Sequence, residues 1–254
     1  MTMVILTAIG VGGASVIGAV IGFLFKKTTH KFSDIVLSFA AGVMLSAAIV
    51  GLILPSVEKG GKYGVFIACA GLFAGALCIN LIDKLTPHLH KISGVKDIEE
   101  HSEAQARLHK VLLFVIAIAI HNLPEGIAAG VGFGSGDVSH ALSIAAAIAL
   151  QNVPEGMVII APMLAAGMKP GKTFLIAVMT GVVEVVGTLL GYLAVSVATV
   201  ILPFALAFAG GTMLYVVSDE MIPETHAHGS ERGATYALIL GFCFMLIFDT
   251  LIGG

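Results

Sequence analysis

Long apolar runs are the feature that most constrains the fold of this chain. There are eight of them, separated by short polar breaks, and each approaches or meets the roughly 17–25 residues that a helix needs to cross a bilayer. The runs cover residues 3–25, 35–54, 65–83, 111–133, 140–166, 173–195, 201–222 and 234–252. Because lipid offers the backbone no hydrogen bonds, isolated spans are helical. The sequence therefore predicts an all-α polytopic membrane protein with eight transmembrane helices, forming a single domain over 1–254.

Composition agrees with a lipid-facing surface. Hydrophobic residues make up 57% of the chain and charged residues only 11%, whereas soluble domains are about 25% charged. Membrane lipid is thus an expected partner. The chain has no basic patch of the kind that binds nucleic acid, so we expect no nucleic-acid partner.

The placement of the basic residues predicts the orientation. If the N-terminus is outside, the inner breaks hold 11 of the 13 Lys and Arg residues, and the outer breaks hold only Lys59 and Lys62. Cytoplasmic loops are enriched in these residues, so we predict that both termini lie outside. The one long break, at about 84–110, is then cytoplasmic. It contains four histidines that are either metal-collecting or part of a solvated linker, the latter being favoured: His88, His90, His101 and His109.

Two similar polar motifs interrupt the fourth and fifth runs. His121 begins HNLPEG, and Gln151 begins QNVPEG 30 residues later. The two runs are antiparallel and share a short break, so at 1.5 Å per residue each motif lies about 20 Å from that break, near mid-membrane. Within each motif, residues four apart share one helix face. The sequence therefore predicts two polar clusters facing each other at the bilayer centre.

Three glutamates, Glu125, Glu155 and Glu184, lie at this depth. Each charged side chain there costs around 2.5–3.5 kcal/mol. None of the predicted spans contains a Lys or Arg that could pair with the carboxylates. Carboxylates, amide oxygens and the His121 imidazole are ligands for divalent transition metals. Either the carboxyls are protonated or a mobile cation neutralises them, and we expect one bound metal ion, or two ions bridged by glutamates.

Several other interpretations are weaker. The polar residues could merely join helices, but three uncompensated carboxylates are costly for that role. A zinc protease needs HExxH, and residues 121–125 read HNLPE, so we do not expect an enzyme. A metal sensor that binds without transport remains the alternative function.

At these motifs the sequence resembles the ZIP (zinc- and iron-regulated transporter-like) family, in particular its GufA-like branch. HNLPEG, QNVPEG, Glu184, the stretch GGTMLYVVSDEMIPE and the stretch AGVMLSAAIVGLILPSVE carry the resemblance. It implies eight helices, with an inverted repeat of helices 1–3 and 6–8 around helices 4 and 5. It also implies transport of divalent transition metal ions toward the cytoplasm, across a membrane that we expect to be a prokaryotic plasma (inner) membrane. No organic cofactor is expected, and the oligomeric state stays open, with a homodimer as one candidate.

The resemblance also implies a binuclear metal site. One position would use His121, Glu125, Gln151 and Glu155, and the second would use Asn122, Asn152 and Glu184, sharing Glu125 and Glu155. Many family members have His where this chain has Gln151. An amide oxygen is a harder ligand than imidazole. Zinc is therefore the first expected cargo, with Cd²⁺, Fe²⁺, Mn²⁺, Co²⁺, Ni²⁺ and Cu²⁺ left open.

Two further groups of residues are secondary candidates. Met44 and Ser46 could line an entrance, although packing is the favoured interpretation. An exit site, or simply a solvated helix end, is predicted where the seventh span ends: Asp219, Glu220, Glu224, His226 and His228.

Overall fold

The computed structural model describes residues 1–24, 29–92, 119–197 and 199–253, and these residues contain helices and no β-strand. We number the helices in chain order: α1 (Thr2–Leu24), α2 (His30–Lys59), α3 (Gly64–Ile92), α4 (119–132), α5 (Val138–Ala165), α6 (Pro170–Val197), α7 (Leu202–Thr225) and α8 (Glu231–Leu251).

Seven of the described helices are long and apolar enough to cross a membrane. The predicted all-helical membrane architecture is therefore confirmed. The exception is α4, because 111–118 of the predicted fourth span lies outside the described residues. Eight spans and outside termini stay predictions.

The helices extend beyond several predicted apolar runs. α2 begins at His30 rather than at residue 35, because the Thr29 side chain accepts a hydrogen bond from the Phe32 amide and caps the helix. α3 continues to Ile92, but its membrane-crossing part ends at Ile82, in agreement with the predicted end of the span at 83. Residues 93–110 of the predicted long loop lie outside the described part of the chain. Hydropathy marks the lipid-crossing part of a helix, whereas caps and polar turns set its ends.

Close backbone approaches divide the helices into two groups. In the first group, α1 packs on α5 and α6, and α6 also packs on α4. A Cβ added to Gly156 would meet the carbonyl of Ser15, and one added to Gly126 would meet the carbonyl of Glu184. In the second group, α2 packs on α8 and α3 packs on α7. Small residues allow such contacts between membrane helices. We call these the motif group (α1, α4, α5, α6) and the support group (α2, α3, α7, α8).

Helices α2 and α7 share an unusual local geometry. Each contains a π-helical stretch, Ala47–Ile53 in α2 and Val217–Met221 in α7. Each stretch is followed by one residue and then a proline, Pro55 or Pro223. Proline cannot donate an α-helical hydrogen bond and its ring clashes with the preceding turn, so the wider turn accommodates it. π-Helical turns are rare and are often found at functional sites.

The outer surface is apolar. α3 and α8 expose aromatic side chains such as Phe66, Phe73 and Phe244, with Phe73 79% exposed. Patches of this kind are unfavourable in water and suit a hydrocarbon environment. Between α3 and α7, the Asn80 amide donates to the Tyr215 hydroxyl at 2.9 Å, which matches the role of polar residues as interhelical links.

Candidate metal centre

The two motifs lie opposite each other inside the motif group, as the sequence predicted. The side chains of His121, Asn122 and Glu125 on α4 are buried, and so are those of Gln151, Asn152 and Glu155 on α5. Glu125 is close enough to both Glu155 and Glu184 for their charges to interact. The structure therefore brings together helices α4, α5 and α6 at one polar centre.

Glu184 is held by donors from two neighbouring helices. The Ser15 hydroxyl on α1 donates to Oε1 at 3.1 Å and to Oε2 at 3.2 Å. The Asn152 amide donates to Oε2 at 2.8 Å and to the Val11 carbonyl at 3.2 Å. This carboxylate has no exposed surface. The hydrogen bonds offset part of the cost of burying it.

Ser15 was missed by the sequence analysis. It is a single hydroxyl in an apolar run, between glycine-rich turns of α1, and no spacing pattern marks it. Its role depends on α1 packing against α5 and α6, which only the tertiary structure reveals.

Other buried polar atoms at the centre lack hydrogen-bond partners. Both Glu125 carboxylate oxygens are in this state, and so are the Oδ1 atoms of Asn122 and Asn152. The Gln151 amide also makes no aligned hydrogen bond, although it lies close enough to Glu125 to stabilise its carboxylate. Leaving a buried polar group unpaired costs about 1–3 kcal/mol, and more when it is charged. These oxygens are hard metal donors, so a divalent ion would satisfy them.

The ligand geometry is loose as it stands. Among the described residues, no three His, Cys, Asp or Glu side chains surround one point tightly enough to hold an ion. An ion at this centre would draw on the amide oxygens of Gln151, Asn122 and Asn152 as well. The donor chemistry fits a transition metal cargo, and binding requires the side chains to close around it.

His121 reaches across to the support group. Its Nε2 lies 2.8 Å from Oε1 of Glu220 on α7. The two atoms are close but are not aligned for a hydrogen bond, since Nε2 has no hydrogen-bond partner. Glu220 was predicted only as part of an exit site, and the structure places it within reach of the centre.

A cavity of about 480 Å³ connects the centre with one end of the bundle. His121 and Glu155 line its deep end, and Asp219, Glu220 and Glu224 line it along α7. The three acidic residues of the predicted exit site therefore face the cavity. His226 does not join them, because its Nδ1 is 2.8 Å from the Ile222 carbonyl and its Nε2 is 3.0 Å from the Thr235 hydroxyl.

On the opposite side of the centre, polar contacts join the two groups. The Ser143 hydroxyl on α5 donates to Oδ1 of Asp249 on α8 at 2.6 Å. His140 Nε2 lies 3.0 Å from the carbonyl of Gly51, within the π-helical stretch of α2. Met44 is fully buried within the apolar core there, and Ser46 is also fully buried. This burial agrees with the favoured packing interpretation for both residues.

Taken together, the fold and the centre define an integral membrane protein whose buried polar centre is linked to one side by a cavity. Comparisons with known proteins identify the family. A model described as ZIP zinc transporter matches residues 91–249. The chain belongs to the ZIP zinc transporter family, as the motifs predicted.

Curated relatives agree over nearly the whole chain. The chain is 34% identical to zinc transporter GufA of Myxococcus xanthus, over 95% of this chain and 96% of that protein. It is 37% identical to zinc transporter ZIPB of Bordetella bronchiseptica, over 94% and 78% respectively. It is 35% identical to zinc transporter ZupT of Chlorobaculum parvum, over 93% and 92%. These relatives confirm the predicted resemblance to the GufA-like branch.

Proposed function

We propose that this chain transports zinc, or a similar divalent transition metal ion, across a membrane toward the cytoplasm. The observation that carries the proposal is the set of buried carboxylate and amide oxygens without hydrogen-bond partners, at the deep end of a cavity. Family membership and relatives named as zinc transporters support it.

In this proposal the cargo occupies two adjacent positions. The first uses His121, Glu125, Gln151 and Glu155. The second uses Asn122, Asn152 and Glu184, and shares the two motif glutamates. The hydrogen bond between Asn152 and Glu184 supports the second position, because it already places an amide beside the carboxylate. The unpaired atoms of Gln151 and Glu125 support the first.

The orientation of the cavity supports the direction of transport. It opens toward the ends of α5 and α7 and the beginning of α2, where Val158, Glu224 and Leu37 line it. Under the orientation predicted from the basic residues, this end is cytoplasmic. The contacts of Ser143 and His140 join the groups at the outer end. The described conformation is then inward-facing, with its release route open.

Alternating access in this proposal comes from the motif group moving against the support group. The metal residues lie on α4, α5 and α6, while α7 supplies much of the cavity wall. Such movement of one helix group against another is a common transporter mechanism. A π-helical turn also ends α8, but among the described helices only α2 and α7 combine such a stretch with a proline two residues after it. This shared pattern supports the inverted repeat, because α2 and α7 are the second helices of the two proposed repeats.

Zinc flux into proteoliposomes tests the transport proposal. Replacing Glu155 by Ala (Glu155→Ala) removes a carboxylate shared by both positions, so uptake should fall to background. Glu231→Ala is the matched control, because Glu231 is exposed at the start of α8 and should leave uptake unchanged. Unchanged flux in folded Glu155→Ala protein would reject this site. Saturable zinc binding by the unaltered protein without any flux would instead favour a metal sensor.

A further inference from the structure

The hydrogen bond between His140 and Gly51 lies at the end of the bundle away from the cavity. Nε2 of His140 on α5 is 3.0 Å from the carbonyl oxygen of Gly51 on α2. At 1.5 Å per residue, His140 lies about 16 Å along α5 from the motif residue Gln151. Gly51 lies about 21 Å along α2 from Leu37, which lines the cavity. The contact is therefore on the far side of the centre from the cavity opening.

The acceptor is a carbonyl whose usual helical donor is missing. An α-helical hydrogen bond to the Gly51 carbonyl would come from the amide of residue 55, which is a proline and has no N–H. The π-helical stretch shifts the donors by one residue, so the Leu54 amide donates to the carbonyl of Ile49. Pro55 thus removes the α-helical donor of the Gly51 carbonyl and leaves an acceptor for a partner from another helix.

Local structure places the His140 ring at this acceptor. The Asp137 side chain caps α5 by accepting a hydrogen bond from the His140 amide at 3.1 Å, which fixes the first turn of the helix. A carbonyl oxygen can only accept, so Nε2 carries a proton and donates. α5 comes close because Gly51 has no side chain. An added Cβ there would lie 3.1 Å from Cγ1 of Ile144.

The bond crosses the boundary between the motif group and the support group. By contrast, the hydrogen bond between Asn80 and Tyr215 lies inside the support group, so movement of one group against the other leaves it intact. Movement between the groups breaks the bond of His140. Its acceptor is a backbone atom, so the bond forms at one relative position of the two groups. An interaction made in only one conformation shifts the equilibrium toward that conformation.

We infer that His140 is a gating residue, whose bond to the Gly51 carbonyl holds the two groups together at this end and favours the described conformation. The inference rests on the proposed transport function, in which this end opens for loading. In that cycle the bond sets the share of molecules in which the centre can load. His140 touches no cargo in this role and acts as a positioning residue for the two groups.

Thiol labelling of purified protein in detergent tests this role without measuring transport. The reporter is Ile144→Cys in a background without the three native cysteines. Ile144 is 1% exposed and packs beside Gly51. It should react with N-ethylmaleimide only when the groups separate, so the labelling rate follows the population of open molecules. His140→Leu and His140→Ala lack the donor. Each should label about 2–10-fold faster, the effect of losing one net hydrogen bond.

Two matched variants separate gating from a general loss of stability. His140→Gln keeps an N–H donor at a similar reach, so its labelling rate should stay close to that of the reporter protein. Asn80→Leu removes a 2.9 Å hydrogen bond between α3 and α7, within the support group, and should also leave the labelling rate unchanged. Thermal melting in detergent checks that each variant is folded.

Three labelling results would overturn the inference. One is an unchanged rate in folded His140→Leu and His140→Ala protein. Another is equally fast labelling in His140→Gln, because the donor would then not matter. The third is equally fast labelling in Asn80→Leu, because any lost hydrogen bond would then have the same effect. Zinc flux through the unaltered protein is measured separately. The expected labelling differences without flux would reject transport and keep the closing role of His140, whereas flux without labelling differences would reject only this inference.

Discussion

Glu125 and Glu184 are both buried carboxylates, but the protein satisfies only one of them. Glu184 accepts hydrogen bonds from Ser15 and Asn152, whereas neither oxygen of Glu125 makes an aligned hydrogen bond and only the nearby Gln151 amide helps to stabilise that carboxylate. An ion that reaches Glu125 therefore relieves an existing cost, while an ion at Glu184 competes with donors already in place. Both positions share Glu125, so the difference lies in the residues that each adds to it. We expect the position that adds His121 and Gln151 to bind the cargo more tightly than the position that adds Asn152 and Glu184, which already bond to each other.

Gln151 should set how strongly that tighter position prefers zinc. Gln151→His replaces an amide oxygen by an imidazole nitrogen, which is a better donor for zinc than for manganese. We predict that zinc uptake competes about tenfold more effectively against Mn²⁺ in this variant. Competitive flux in proteoliposomes with paired isotopes measures the ratio. Gln151→Ala is the control, because it removes the donor without adding an imidazole. An unchanged Zn²⁺ to Mn²⁺ ratio in Gln151→His would show that residue 151 does not contact the cargo.

At the scale of the helices, the position of α1 decides whether the centre is complete. α1 supplies the Ser15 hydroxyl to Glu184 and the Val11 carbonyl to Asn152. It reaches them only because Gly156 on α5 has no side chain at the contact. The close packing of α1 and α5 therefore fixes part of the second metal position.

Gly156→Ala tests this coupling between packing and function. The new Cβ would meet the Ser15 carbonyl, and such overpacking usually costs about 1–3 kcal/mol. We predict a melting temperature in detergent lower by roughly 2–12 °C, together with reduced zinc uptake. Gly13→Ala on α1 is the control, because nothing lies near its added Cβ, and both measurements should stay close to those of the unaltered protein. Normal uptake in Gly156→Ala would mean that α1 does not position Glu184.

The sequence predicted the helices and the motif residues better than it predicted the side chains that contact them. Hydropathy located the helices, because crossing lipid imposes a length of apolar chain. Helix ends were less accurate, since caps such as Thr29 and Asp137 depend on single hydrogen bonds. The motif glutamates were identifiable by their cost in an apolar run. Ser15 and the contact of Asp34 with His228 join residues 169 and 194 positions apart, so no local pattern indicates them.

At the scale of the whole molecule, polar contacts between the two groups are arranged differently at the two ends. At the end predicted to be outer, Ser143 bonds directly to Asp249, and His140 contacts the carbonyl of Gly51. At the end predicted to be inner the groups border the cavity, and His121 contacts Glu220. In the proposed mechanism the outer contacts must break before the centre can load from outside. The Ser143–Asp249 contact should therefore be present while metal is released and broken while metal is loaded.

Cross-linking across this contact tests the movement. In a background without Cys69, Cys78 and Cys243, a short bifunctional thiol reagent would join Ser143→Cys on α5 to Asp249→Cys on α8. Because the link ties the motif group to the support group, we predict that zinc uptake stops when the link forms. A reagent cleaved by reductant should allow uptake to recover after reduction. Gel mobility after proteolysis between the two positions measures the extent of linking.

The matched control pair lies inside the support group. Asn80→Cys and Tyr215→Cys replace residues that are hydrogen-bonded between α3 and α7. These helices belong to the same group, so linking them should leave uptake intact although it also adds one covalent link between two helices. If uptake continued with the outer pair fully linked, α5 and α8 would not separate during transport. If the control link also stopped uptake, movement would have to occur within the support group, and the division into two rigid groups would be wrong. Transport by relative motion of the two groups is supported only if uptake is lost on linking residues 143 and 249 and retained on linking residues 80 and 215.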